Sequence, residues 1–222
     1  MNPADINFSE TVFVFDLDDT LFKESDYQAS GFREVLLQIQ KIYRKSLKRE
    51  LDSLIEHGST DVLHGLCVAA GLPEHVKQSL LWIYRLHMPD ISLSQDVRAA
   101  ISFLRQHSAG FAILTDGRSF SQRAKLRALG LADVPAYISE EYGDQKPSPV
   151  RFEAIMHDMP TKRYIYVADN PKKDFVAPNR LGWKTIGVIG TEKNIHKQHR
   201  ENISVEYLPS AWVESLHDLI PD

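Results

Sequence analysis

Two pairs of aspartates follow short apolar runs of the chain. Asp16 and Asp18 come directly after Thr11–Phe15 (TVFVF), and Asp169 and Asp174 follow a second run of the same kind. In an extended segment residues two apart project to the same side, so Asp16 and Asp18 can face one crevice. Crowded carboxylates repel each other unless a cation or a proton intervenes. Oxygen ligands of this type suit a hard cation such as Mg²⁺, which also accepts phosphate oxygens.

A hydroxyl and a lysine stand at two comparable places. Thr115, Asp116 and Gly117 end an apolar run just before a predicted helix, where a hydroxyl and free backbone N–H groups suit an anion. Lys146 comes immediately before another helix start, and Pro147 favours an extended backbone at the lysine. Singly, these pieces could be an acidic turn, an ordinary strand-to-helix turn, a solvated lysine and helix-capping aspartates. A coincidence of all four is improbable, so they indicate one site.

The elements that must position these residues alternate along the chain. Continuous apolar runs predict strands at 11–15, 111–114, 164–167 and 185–189, and their lack of alternation favours a parallel sheet covered on both faces. Helices are predicted from Ser119 (with a capping box to Gln122), from Ser148-Pro149, over 171–182 and over 209–220. Repeated strand-helix-strand order predicts an α/β fold with a doubly wound parallel-sheet (Rossmann-like) core.

A different pattern separates the first strand from the second. Apolar residues recur at helical spacing in four consecutive groups, beginning near Phe32, Leu47, Leu63 and Val76. Four amphipathic helices with no strand between them predict a small all-helical domain inserted at 23–90. Residues 1–22 and 91–222 would then form the catalytic core, in which Ser94 begins the first helix after the insertion.

Composition limits the classes of partner. A net charge of −4 gives no general attraction to nucleic acid or to anionic lipid. The basic residues Lys41, Arg44, Lys45, Lys48 and Arg49 are interpreted as a solvated helix face, and His196 and His199 as surface residues. The first ten residues do not resemble a signal peptide, and no apolar segment is long enough to span a membrane. A cytoplasmic protein is expected, with the single cysteine, Cys67, buried.

Five segments in this order resemble the haloacid dehalogenase superfamily, in the branch with a helical cap inserted after the first strand. They are DLDDTLF (16–22), ILTDGR (113–118), KPSPVRF (146–152), VADNPKKDF (167–175) and LGWKTIGV (181–188). The resemblance covers essentially the whole chain. Three positions depart from the commonest pattern: Ala168 and Asp19 stand where glycine is frequent, and Asp116 where asparagine is more typical.

The resemblance implies a role for each matching residue. Asp16 would be the nucleophile and Asp18 the general acid and base. Thr115 would bind the phosphoryl group together with the following backbone amides of Asp116 and Gly117. Lys146 would neutralise the nucleophile and the phosphate. Magnesium would be held by Asp16, the carbonyl of Asp18, Asp169 and Asp174.

The predicted function is therefore that of a Mg²⁺-dependent phosphatase. It would hydrolyse a small phosphorylated metabolite, a sugar phosphate or a nucleotide, through an aspartyl-phosphate. Arg118, Arg85 and His87 are the candidate contacts to the leaving group. The alternatives are a phosphomutase and a non-catalytic phosphate-binding module, whereas Asp18 and the acidic pair argue against a dehalogenase. No nucleic-acid or membrane partner is expected, and the chain would be a monomer or a homodimer.

Overall fold

The computed structural model describes residues 5–191, 194, 198 and 203–221, so His196 and His199 lie outside the described residues. The chain divides into two compact units, one of Met1–Ser25 and Ile91–Asp222 and the other of Asp26–Asp90. The predicted insertion spans residues 23–90.

The larger unit is built on a parallel sheet. The part of this unit that the structure describes has six strands: β1 (Thr11–Phe15), β2 (Gly110–Thr115), β3 (Ala136–Ile138), β4 (Arg163–Ala168), β5 (Lys184–Val188) and β6 (Ala211–Val213). They lie in the order β3-β2-β1-β4-β5-β6, and every neighbouring pair is parallel. All five residues of β1 are buried, as expected for a central strand covered on both faces. The α/β fold predicted from the sequence is confirmed.

Nine α-helices lie in the described part of the chain. They are α1 (Glu24–Tyr43), α2 (Lys48–Glu56), α3 (Val62–Ala69), α4 (Val76–Leu86), α5 (Gln95–His107), α6 (Ser119–Ala128), α7 (Ser139–Tyr142), α8 (Val150–Asp158) and α9 (Val176–Arg180). The side chain of Ser94 caps α5 by accepting the Val97 N–H, as the sequence predicts. None of the described helices has the length and apolarity needed to cross a membrane.

Three sequence-based predictions in this unit are wrong. The helix predicted over 209–220 is replaced by β6 and a 3₁₀ turn, Leu216–Leu219. Trp212 of β6 is registered with Gly187 of β5, where any larger side chain would collide with the indole ring. Gly187 of β5 thus leaves room for that ring beside β6. Apolar periodicity in a segment this short does not separate helix from strand.

The other two errors concern helix ends. The helix predicted over 171–182 shortens to α9 because the backbone N–H of Asn170 donates to Asp174 Oδ2 at 2.8 Å, which holds the preceding residues in a turn. The capping box at the start of α6 does not form. Ser119 donates its hydroxyl to Glu141, its backbone N–H donates to Glu140 at 2.8 Å, and Gln122 turns to other partners.

The smaller unit contains α2, α3, α4 and the greater part of α1. Buried apolar side chains from all four helices, among them Val35, Leu51, Leu66 and Leu80, form its own core. Cys67 belongs to that core and is 1% exposed, as predicted. The four helices found match the four predicted from helical spacing. The basic residues of 41–49 are exposed.

Candidate active site

The candidate catalytic and metal-binding aspartates follow two adjacent strands at the point where the strand order reverses. From β1 the chain continues through β2 to β3 on one side, whereas β4, β5 and β6 extend the sheet on the other. Ligands of open α/β sheets bind at such a switch point, beyond the carboxyl ends of the strands. The backbone N–H of Asp16 donates to Val167 O at 2.9 Å, so the β1–β4 pairing continues to the candidate nucleophile.

Lys146 lies at the centre of the acidic cluster. Its ammonium is 2.6 Å from Asp16 Oδ1 and 2.7 Å from Asp174 Oδ1, and it donates to the Tyr166 hydroxyl at 3.2 Å. The side chains of Lys146 and Asp174 are completely buried. Burial alone would lower the pKa of Lys146, but the carboxylates of Asp16 and Asp174 outweigh it and raise the pKa well above the ordinary value. Lys146 is therefore a fixed positive charge against the candidate nucleophile.

The cluster as a whole carries an excess of negative charge. Ligand oxygens of Asp16, Asp169 and Asp174 lie within 4.8 Å of one another. Burial, followed by the charges of Asp16 and Asp174, raises the pKa of Asp169 to about 8. Burial also raises the pKa of Asp16 to about 6, although the neighbouring Lys146 opposes the rise.

This donor set fits a divalent cation. Three carboxylates and one ammonium leave a formal charge of −2 when all are ionised, which one Mg²⁺ balances. All three aspartates supply oxygen, the ligand atom that Mg²⁺ prefers, and all three are buried. Asp16, Asp169 and Asp174 are thus the side chains that could hold the ion.

Asp18 faces different partners from those of Asp16. Its Oδ1 accepts from the ammonium of Lys125 at 2.7 Å, and its Oδ2 accepts from Gln122 Nε2 at 2.9 Å. Both donors come from α6, and the Lys125 side chain is only 5% exposed. Two carboxylates that are two residues apart in sequence therefore have separate environments, which two different chemical roles require.

Residues 115–117, the candidate phosphate-binding turn (called the phosphate turn below), are held by a buried arginine. Arg151 of α8 donates to Thr115 O at 2.8 Å and to Asp116 Oδ1 at 2.6 Å, and it is 0% exposed. Burial opposes ionisation of Asp116, but Lys146, Lys173 and Arg151 outweigh it, so the pKa of Asp116 is lowered. Asp116 also accepts a hydrogen bond from the backbone N–H of Lys146 at 3.3 Å, which links the turn to the segment that carries the lysine.

A cavity of about 120 Å³ opens over these groups. Its walls are Asp16, Asp18, Asp19, Glu24, Thr115, Asp116, Asp169, Asn170 and Lys173. The structure thus brings together the strand-end residues that the sequence singled out. Lys146 and Asp174 are not among these walls; their side chains are buried, and Lys146 contacts the wall residue Asp16.

The remaining candidate residues have other surroundings. The backbone N–H of Gly117 donates to Ser139 Oγ at 2.9 Å, and Arg118 pairs with Glu140 at 2.6 Å. Both line a separate cavity of about 520 Å³. In the helical unit Arg85 is half-buried. His87 is buried there, with Nδ1 2.6 Å from Tyr84 O and Nε2 3.1 Å from Ser30 Oγ. A role in substrate binding stays a prediction for each of them.

Several residues of the site were missed by sequence reasoning. The sequence held a signal for Lys125 and Gln122. Their helical spacing places both polar residues on the same face of α6 as Leu126, which is the buried face. A buried arginine such as Arg151 has no comparable signature in the sequence. Glu24 lines the cavity at the start of α1, and burial, followed by the charge of Asp18, raises its pKa to about 7.

Asp19 accounts for one departure from the commonest motif. Its φ is +57°, a left-handed conformation that glycine adopts without cost and aspartate tolerates. Its Oδ1 accepts the backbone N–H of Glu24 at 3.0 Å, which satisfies one N–H at the start of α1. The aspartate thus supplies a helix-capping oxygen that a glycine there would lack.

Similar proteins carry names that refer to three different reactions. A ribulose-1,5-bisphosphate 5-phosphatase of Halopiger xanaduensis is 23% identical over 94% of this chain and 97% of its own. A 2-haloacid dehalogenase of Pseudomonas syringae has a TM-score of 0.61 at 19% identity, with 94% and 96% of the two chains covered. A structure named as a β-phosphoglucomutase of Thermotoga maritima has a TM-score of 0.63 at 16% identity, covering 94% and 96%.

The family profile described as haloacid dehalogenase-like hydrolase matches residues 13–188, from the middle of β1 to the end of β5. The matched range contains every aspartate of the acidic cluster, the phosphate turn and Lys146. This chain belongs to the haloacid dehalogenase-like hydrolase family.

Proposed function

We propose that this hydrolase is a Mg²⁺-dependent phosphatase that cleaves a small phosphate monoester through an aspartyl-phosphate on Asp16. The observation that carries the proposal is that the carboxylates of Asp16 and Asp18 have different partners. Asp16 lies in the acidic cluster against Lys146, whereas Asp18 is held apart by donors from α6. A nucleophile and a separate proton carrier are what two-step hydrolysis of a monoester needs.

The protein groups account for both steps. Asp16 attacks phosphorus as the bond to the leaving oxygen breaks, and Asp18 gives its proton to that oxygen. Asp18, now ionised, takes a proton from the water whose oxygen displaces Asp16. Lys146 keeps a positive charge beside the nucleophile throughout, which reduces its repulsion of an anionic substrate. Mg²⁺ bound by the aspartates would supply further charge neutralisation.

The reactions of the relatives give two rival functions. Dehalogenation needs no acid for the departing halide, so the presence of Asp18 favours phosphate transfer. A phosphomutase uses the same groups, and the structural likeness to the Thermotoga protein keeps it as the second candidate. The 23% identical phosphatase, named for a sugar bisphosphate, makes sugar phosphates the first substrates to test and nucleotides the second.

Phosphate release from a panel of sugar phosphates and nucleotides, with Mg²⁺ or with excess chelator, tests the proposal. We expect release with Mg²⁺ only, and none from the Asp16→Asn variant. Full turnover in chelator, or no release from any monoester, would reject it. Addition of a bisphosphate activator separates the alternative, because a mutase would then form more isomerised sugar phosphate than free phosphate.

We further propose that the helical unit selects the substrate. The groups at the strand ends bind the cation and the phosphoryl group, and the phosphoryl group is common to all phosphate monoesters. Discrimination between substrates therefore needs other side chains. Arg85→Ala and His87→Ala should raise KM for the preferred metabolite several-fold and leave p-nitrophenyl phosphate hydrolysis nearly unchanged. An equal loss of activity on both substrates would show that these residues act through folding. A thermal melt checks this directly for His87, which is buried.

A further inference from the structure

Gln122 and Lys125 together occupy both oxygens of one carboxylate. Lys125 binds Asp18 Oδ1 at 2.7 Å and Gln122 binds Asp18 Oδ2 at 2.9 Å. Gln122 and Lys125 are three residues apart on one face of α6, and they are 3% and 4% exposed. A carboxylate held at both oxygens by donors of one rigid helix has little freedom to rotate.

Gln122 also connects that carboxylate to the phosphate turn. The same Nε2 that binds Asp18 donates to Asp116 O at 2.6 Å. Gly117, with φ +143°, lies so close that a Cβ there would be 2.6 Å from Gln122 Nε2. The Gln122 amide thus lies between Asp18 and the turn and makes a hydrogen bond to each.

We propose that Gln122 and Lys125 are positioning residues that hold the Asp18 carboxylate in register with the phosphate turn for both proton transfers. The inference rests on the proposed function, in which Asp18 carries the proton. Both residues belong to α6 and act on the reaction only through Asp18, without a contact of their own to the substrate. Attack by Asp16 does not depend on them, since Asp16 has its own partner in Lys146.

The two steps can be separated with substrates of different leaving groups. p-Nitrophenolate leaves without a proton, whereas the alkoxide of β-glycerol phosphate needs one. With p-nitrophenyl phosphate, Lys125→Met should keep the first turnover within about twofold of wild type and slow the steady state at least about tenfold, since general acid–base catalysis contributes 10²–10⁴-fold. A burst of about one nitrophenolate per enzyme would then appear. The phosphoenzyme would accumulate, and it can be measured after rapid acid quenching. With β-glycerol phosphate the first turnover should also slow.

Two further variants sharpen the experiment. Gln122→Met removes the amide but keeps a side chain of similar length, and it leaves Lys125 in place. This variant should also give a burst, with a smaller loss of steady-state rate than Lys125→Met. Arg123→Ala is the matched control, because Arg123 lies between them on α6 but pairs with Glu141 at the surface. It should behave as wild type. Thermal melts of each variant report folding independently of activity.

The outcomes separate this inference from the proposed function. A wild-type protein that releases phosphate from neither of these substrates nor from any monoester of the panel rejects the function itself. Wild-type hydrolysis combined with an equal slowing of burst and steady state in Lys125→Met makes the contact merely structural and overturns the inference. Unchanged kinetics in both Lys125→Met and Gln122→Met would overturn it as well.

Discussion

Asp16 and Asp18 differ in what surrounds each carboxylate. Asp16 contacts Lys146 and lies with Asp169 and Asp174, whereas Asp18 contacts only neutral or cationic donors among its described hydrogen-bond partners. In the first environment Lys146 offsets part of the cost of burying an anion, so the candidate nucleophile lies beside a cation. The second holds a carboxylate at a fixed orientation toward the phosphate turn, which suits proton transfer.

Substitution of the two aspartates should therefore give different kinetics. Asp16→Asn should abolish turnover with every substrate, because the amide is not a nucleophile. Asp18→Asn should also stop alkyl phosphate hydrolysis, but p-nitrophenyl phosphate should still phosphorylate Asp16. Quenched-flow measurement of nitrophenolate and of phosphoenzyme distinguishes them. A burst from Asp16→Asn, or equal rescue of both variants, would contradict the assigned roles.

Among the elements, α8 fixes the end of β2 through Arg151. The guanidinium contacts Thr115 O and Asp116 Oδ1, and its side chain is wholly buried, as Asp116 largely is. Removing one partner of a buried pair leaves the other charge without compensation, which costs about 3–5 kcal/mol. Here Lys146 and Lys173 remain near Asp116, so the lower end of that range applies.

We expect Arg151→Met to lower the free energy of unfolding by about 3 kcal/mol and to weaken phosphate binding, because the turn loses its support. Urea denaturation and inhibition by inorganic phosphate measure the two effects. Arg180→Met is the control, since the Arg180–Glu206 pair is exposed and an exposed ion pair contributes little to stability. Similar losses in the two variants would show that burial of Arg151 is not the cause.

For the molecule as a whole, the acidic cluster ties stability to pH. In the metal-free protein the pKa values of Asp16 and Asp169 are raised to about 6 and about 8. At these two groups the native state then holds more protons than the unfolded chain between about pH 4 and pH 8, so their contribution to stability falls as the pH rises through that window. Bound Mg²⁺ requires ionised ligands, and its affinity should rise over the same window.

Thermal melts at pH 5 and pH 8, with and without Mg²⁺, test this linkage. At a Mg²⁺ concentration of about 100 times Kd the gain is about 2.7 kcal/mol, or roughly 5–10 °C in Tm for a chain of this size. We expect that gain at pH 8 and a much smaller one at pH 5. Asp169→Asn should lose most of the Mg²⁺ effect at either pH. An equal gain at both pH values in the wild-type protein would contradict the prediction.

The sequence alone determined the features that depend on local pattern. The run Thr11–Phe15 is apolar at every position because both faces of the central strand are covered, and it was predicted with its bounds. The four helices of the smaller unit followed from their spacing. Since parallel strands end at one edge, the aspartates that follow β1 and β4 had to meet there, and the acidic cluster confirms that they do.

Only the tertiary structure decided the contacts between distant segments. Lys125 and Asp18 are 107 residues apart in sequence, and Arg151 and Asp116 are 35 apart. Strand β6 stands where a helix was predicted, and it pairs with β5 at a point where Gly187 leaves space for Trp212. Periodicity reports which face of an element is buried, but a buried polar side chain takes its partner from whichever segment packs against it. That partner is set by the packing of the whole chain.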